Sequence, residues 1–178
     1  MRRLRRRPKW LVIDGCPAPY DVAPYIYLIL RRAGQSASSI YRGDDHDARP
    51  ILHRHGKHTQ REMENATPAE RAAWGITGTP NPAGRSMHEL RSDGVAKSGP
   101  VGRRLEPWEV GVDSGVNNDF TRMRLKMAAR HYGLEIYFPY DSVVEYHHWG
   151  FRRQPRADGK HLTRTRVALT RAYLRRFK

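Results

Sequence analysis

The spacing of apolar and polar positions divides the chain into helical and extended stretches. Val22, Tyr25, Ile26, Leu28, Ile29 and Leu30 supply enough apolar surface for a helix with one face in the core. Asp21 stands at its cap, Pro24 in its first turn, and Gly34 as its stop after about Arg32. Ser38 to Tyr41 predicts a short strand with Arg42 at its end, followed by a polar loop from Gly43 to Pro50 and a helix near Thr59 to Asn65. Thr67-Pro68-Ala69-Glu70 is a capping box with proline at the first helical position, so a short helix runs to about Trp74 and stops at Gly75. Trp108 to Asp113 predicts a strand. Asn118 or Asp119 starts a helix with Phe120, Met123, Met127 and Ala128 on one face and Gly133 as the stop. Leu134 to Phe138 and Ser142 to Trp149 predict two strands around a Pro-Tyr-Asp turn. Thr163 to Phe177 predicts a very basic helix with Val167, Thr170, Leu174 and Phe177 on one stripe. These elements make an α+β fold, with helices packed on a small, mostly antiparallel sheet.

Two loops interrupt the pattern, at residues 77 to 85 and 91 to 107, both rich in glycine and proline. No internal repeat is present. A length of 178 residues suits one domain with its own core. The expected organisation is a basic arm over residues 1–20, a main domain over 21–160 containing the 91–107 loop, and a basic C-terminal helix over 161–178.

Charge then narrows the partners. The formal net charge is +15, which implies a polyanionic surface: nucleic acid, an anionic membrane, or a phosphate-rich cell wall. Cys16 is the single cysteine, so no internal disulfide forms, and a buried filler is the expected role. The apolar run Trp10 to Ile13 ends at Asp14, too short for the core of a signal peptide, and no stretch reaches membrane-spanning length. A product made in the cytoplasm without a signal peptide is expected, and a monomer.

The candidate chemistry lies between Ser86 and Trp149. Ser86-Met87-His88 opens this stretch, Gly111-Val112-Asp113 follows, and Glu145-Tyr146-His147-His148-Trp149 closes it. Two imidazoles and a carboxylate are ligand types that zinc prefers, and a catalytic zinc keeps a further position open. A carboxylate three residues before His148, Glu145, is placed to act as a base.

This ordered set, Ser-x-His, then a small residue with Val-Asp, then Glu-x-x-His-Trp, resembles the zinc D-Ala-D-Ala peptidase family. That family comprises carboxypeptidases and phage endolysin endopeptidases with the hedgehog/DD-peptidase fold. The resemblance covers roughly Ser38 to Phe151. It implies Zn2+ held by His88, Asp113 and His148, with Glu145 as the catalytic base. Ser39-Ile40-Tyr41-Arg42, followed by Gln60, resembles the family's Tyr-Arg…Gln pattern. Arg42 would then hold the scissile carbonyl or a substrate carboxylate, with Gln60 as a second polar contact and Ser86 supporting the first ligand. His147 and Trp149 are candidate substrate contacts. The chain departs from the family in two places. The Asp normally follows the first His closely, whereas here the 91–107 loop intervenes; and His147 replaces a Trp, which makes it a rival to His148 as ligand.

Other residues compete with these. Asp93 follows His88 by five positions but lies in a Ser-Asp-Gly turn, an ordinary place for Asp. His53, His55 and His58 form the densest histidine cluster, with no adjacent carboxylate, and are read as groove or structural residues before metal ligands. Asp44, Asp45 and Asp47 lack calcium-loop spacing. His131 and His161 are read as surface or capping residues.

The function expected from the resemblance is zinc-dependent hydrolysis of peptidoglycan stem or cross-link peptides by a phage lysin or a virion-associated hydrolase. It would act at the bacterial cell wall, with the basic surface meeting an anionic wall polymer. The alternative is a basic nucleic-acid-binding protein or a metal-dependent nuclease. A non-catalytic wall-binding module is a third class.

Overall fold

The computed structural model describes residues 10–41, 62, 65–74, 88, 106–139 and 146–177. Helices pack on small antiparallel sheets, as the apolar spacing predicts. Trp10–Ile13 (β1) and Cys16–Pro19 (β2) form a hairpin paired Trp10↔Pro19 through Ile13↔Cys16. Its turn is Asp14-Gly15, with φ of 51° and 81°. Two consecutive left-handed residues match the right-handed twist of the flanking strands, and Asp-Gly is among the sequences that tolerate them. The hairpin buries Leu11, Ile13, Cys16 and Ala18 in the core. Residues 10–19 are therefore part of the folded body, not of a basic arm over 1–20; residues 1–9 lie outside the described set.

Helix α1 (Ala23–Ala33) follows. Its cap is Val22, with no side-chain hydrogen bond, rather than Asp21; proline in the first turn starts it without needing a donor. It ends where Gly34 turns left-handed at φ 64° and its N–H reaches back to Arg31 and Leu30 carbonyls. Ile26, Ile29 and Leu30 are fully buried. Strand β3 spans Ala37–Ser39, shorter than expected and shifted upstream. Asp14 ties the hairpin to this region, since its Oδ2 accepts from Ala37 N at 2.9 Å and its Oδ1 pairs with Arg31. Trp10 stacks on Tyr41, centroids 4.1 Å apart.

The short helix α2 (Pro68–Ala73) has the expected reciprocal cap: Thr67 accepts from Glu70 N, and Glu70 accepts from Thr67 N. A 3-10 turn occupies Pro107–Glu109, and only Val112–Ser114 (β4) is strand, so the expected strand from Trp108 shortens at its front. Helix α3 (Asp119–His131) is capped by Asn118, whose Oδ1 accepts from Thr121 N at 2.8 Å. Strands β5 (Ile136–Tyr137) and β6 (His148–Phe151) and helix α4 (Arg164–Leu174) complete the order.

The four-stranded sheet runs β3-β4-β6-β5, every pair antiparallel. One face carries Val112, Trp149 and Phe151 into the core shared with Ile26, Ile29 and Leu30 of α1 and Leu125, Ala128 and Ala129 of α3. Here two expectations need correcting. On α3 the inward residues are Thr121, Leu125, Ala128 and Ala129, whereas Phe120, Met123 and Met127 are exposed. Small residues at 128 and 129 suit a surface packed against α1, and the long side chains turn outward. On α4, Val167, Thr170 and Leu174 are buried as expected, but Phe177 is exposed just beyond the helix end.

Candidate metal centre

Strand register builds the site. Asp113 of β4 lies directly opposite His148 of β6, and Ser39 of β3 is the partner of Asp113 on the other side. Directly opposed residues share a sheet face, with side chains close enough to touch. Because successive residues alternate, Asp113 and His148 point away from the face that carries Val112 and Trp149. The alternation is held from behind: Trp149 Nε1 donates to Ser114 Oγ at 2.8 Å on the core side. The entry to β6 is held by Ser114 N donating to His147 O at 3.0 Å and Tyr146 N donating to Asn117 Oδ1 at 2.7 Å.

His88 comes from a distant part of the chain onto this face. Its Nδ1 lies 2.6 Å from the Ile40 carbonyl. A carbonyl only accepts, so Nδ1 carries a proton, and Nε2, which faces Asp113, is the nitrogen left to ligate a metal once its own proton is displaced; the Ser39 hydroxyl, 3.4 Å from Nδ1, flanks the same edge. A backbone carbonyl orienting one ring nitrogen so that the other can ligate is the usual support of a metal-binding histidine. His88 Nε2 is then 3.2 Å from His148 Nδ1 and 3.3 Å from Asp113 Oδ1, and His148 Nδ1 is 2.5 Å from the same oxygen. Ligands bound tetrahedrally at about 2.0 Å stand roughly 3.3 Å apart. Two sides of the triangle already have that length. The third is closed by a hydrogen bond whose proton metal binding would displace.

The three side chains are buried, at 3%, 7% and 4% exposure for His88, Asp113 and His148. Burial by itself would push the Asp113 carboxyl up; the charge of His88 and the hydrogen bonds from His148 and His88 outweigh it and hold the group well below the ordinary carboxylate range. Asp113 is thus the anion of the site, as a divalent cation requires. Among the described residues, His88, Asp113 and His148 form the group that could hold a metal ion, their ligand atoms all within 4.8 Å of one another.

His148, not His147, enters the triangle. His147 is half-buried beside it, and its buried Nδ1 has no hydrogen-bond partner among the described residues. Trp149 is fully buried on the opposite face, so it is a core residue rather than the expected substrate contact. Trp108 packs half-buried against the core. His131 and His161 stack on each other, centroids 4.2 Å apart, away from the triangle. Arg42, Gln60, Ser86 and Glu145 lie outside the described residues, as do Asp93, the Asp44–Asp47 loop, the His53–His58 cluster and all of the 91–107 loop except Pro107 and Glu106. Ser39 and Ile40 support the His88 ring, a role for which their place in the Ser-Ile-Tyr-Arg stretch gives no signal. Cys16 is buried, and that burial raises its thiol to about 11, with the charges of Asp14 and Asp113 adding to it. It is a protonated filler at neutral pH.

No family model, no curated protein and no solved structure matches this chain.

Proposed function

We propose that the chain is a zinc-dependent peptidase that hydrolyses peptidoglycan stem or cross-link peptides, with His88, Asp113 and His148 as the metal ligands. The buried triangle supports the metal part of this reading, with two imidazoles and one carboxylate on a common sheet face and one ring fixed by a backbone carbonyl. The peptidase activity and its substrate rest on the resemblance of residues 38–151 to the zinc D-Ala-D-Ala peptidases. The donor set fits zinc, two imidazoles and one carboxylate being a three-ligand set of the kind that catalytic zinc sites use. When bound, zinc polarises a substrate carbonyl and makes a water easier to deprotonate.

The chain's own groups do the rest. His88 is oriented through Nδ1 so that Nε2 is the nitrogen that ligates, and Asp113 supplies the compensating charge. Glu145, three residues before His148, is the proposed base that takes a proton from the attacking water and delivers it to the leaving amine. Arg42 and Gln60 are the proposed contacts to the peptide, a guanidinium being permanently charged and rich in planar donors.

Metal analysis and turbidity clearing of purified peptidoglycan test this on the parent protein and on Glu145→Ala. One zinc per chain in both, with clearing reduced about a hundredfold or more in the variant, is expected for loss of a general base. A zinc-free parent that clears nothing, or a variant as active as the parent, would sink the reading.

A further inference from the structure

Among the described residues, the largest exposed apolar side chains on helices fall in two runs. Phe120, Met123 and Met127 lie on α3, at 59%, 49% and 62% exposure. Leu169, Tyr173 and Phe177 lie four residues apart along α4 and its end, at 66%, 43% and 48%. Spacings of three and four residues place each run along one side of its helix. Neither run faces the core described above.

Contacts through α1 join the two runs into one surface. Tyr173 packs against Phe177 and Tyr27, with centroids 4.9 and 5.6 Å away. The Arg31 guanidinium lies over Tyr27 at 5.0 Å. Arg31, Arg32, Arg124 and Met127 then line a cavity of about 560 Å³ between α1 and α3, and Arg124 lies over Phe120 at 5.5 Å. Arg176 follows Tyr173 by three residues. Acids border this line at Asp14, which pairs with Arg31, and at Asp119, which precedes Phe120 and lies 3.7 Å from Arg122. The result is a cationic surface interleaved with aromatic and aliphatic groups, carried by α3 and by α4, which packs on α1 and β1.

We propose that this helical surface docks on an anionic lipid bilayer. Charge alone would suit any polyanion. The apolar groups decide between them, because a hydrated phosphodiester or wall polymer gives Leu169, Met123 and Met127 nothing to bury against. Bases of a nucleic acid could stack on Tyr173 and Phe177 but not on those three. A bilayer interface satisfies both halves: lipid phosphates for Arg32, Arg124 and Arg176, and acyl boundary for the side chains between them. Aromatic rings with a polar edge favour the same depth. Among the described residues no helix is long and apolar enough to cross a membrane, so the contact is peripheral. The inference does not depend on the peptidase reading, and its readout needs no turnover.

Co-sedimentation with vesicles tests it. The parent protein should pellet with vesicles of mixed phosphatidylglycerol and phosphatidylcholine and stay in the supernatant with vesicles of pure phosphatidylcholine. Leu169→Ser with Phe177→Ser should weaken that binding at least about tenfold at constant salt, the equivalent of one lost buried side chain. Arg32→Glu with Arg176→Glu should weaken it comparably, with the melting temperature of both variants close to the parent's. Absence of vesicle binding would overturn the proposal. So would a serine variant that binds like the parent, or a preference for an oligonucleotide or poly(glycerol phosphate) over vesicles.

Discussion

The two faces of the β4–β6 pair are built from alternate residues of the same strands, yet they do opposite things. Val112, Ser114, Trp149 and Phe151 look toward α1 and α3 and join the core. Asp113 and His148, one step along each strand, look the other way and gather His88. The first face is stabilised by removing apolar area from water. The second buries a carboxylate and two imidazoles, groups that are costly to dehydrate unless they satisfy one another or a cation. A period-two strand thus lets one short antiparallel pairing carry stability on one face and chemistry on the other.

The contrast is broken most strongly from the core side. Trp149→Ala should cost about 3–5 kcal/mol, through lost burial, the cavity left behind and the unpartnered Ser114 hydroxyl, and urea unfolding measures it. The companion change His148→Ala should abolish metal uptake, read by metal analysis, and also cost stability because it strips the buried Asp113 carboxylate of its hydrogen bond. Trp149→Ala should lower stability without removing a ligand, so metal uptake separates the two faces.

A smaller effect follows from chelation. If the triangle binds metal at a hundredfold excess over its dissociation constant, removing the ion costs about 2.7 kcal/mol. The melting temperature of the parent should fall on adding chelator, and that of His88→Ala should not move. Equal shifts in both would mean that the ion sits elsewhere.

Smallest is the alkaline response of Cys16 on the core side. Its native thiol titrates at about 11, above the ordinary value of 9.0 for a free thiol. The unfolded chain therefore loses this proton first as pH rises, so folding is favoured below pH 9 and that contribution declines between 9 and 11. Stability curves of the parent and Cys16→Ala should converge or cross over that window. Alkylation of the native protein should follow an inflection near 11 rather than 9, because the thiolate is the reacting species.

Much of this arrangement was legible in the chain, for identifiable reasons. The stops at Gly34 and Gly133, the capping box at Thr67 and the Asn118 cap rest on local chemistry, and local chemistry survives folding. The gathering of His88, Asp113 and His148 is what the resemblance to the zinc D-Ala-D-Ala peptidases implies; spacing alone would not justify it, since a long loop separates His88 from Asp113. The Asp14-Gly15 hairpin was equally local, but the run of arginines upstream drew the boundary of a basic arm too far. The inward face of α3 was not legible. Periodicity favours burying the large Phe120, Met123 and Met127, whereas close approach of α1 rewards Ala128 and Ala129 and leaves the large residues outside. Which of two competing stripes a helix buries is decided by its neighbour.

The alternation along β6 also bears on how the chain selects its pairing. A slip of one residue against β4 would set Trp149 opposite Asp113 and turn His148 toward the helices. Such a misregistered sheet would lose both the indole's place in the core and the second imidazole of the triangle. Any ion captured by the correct pairing would therefore act as a check on strand alignment, trapping the chains that have paired correctly and leaving the slipped ones free to try again.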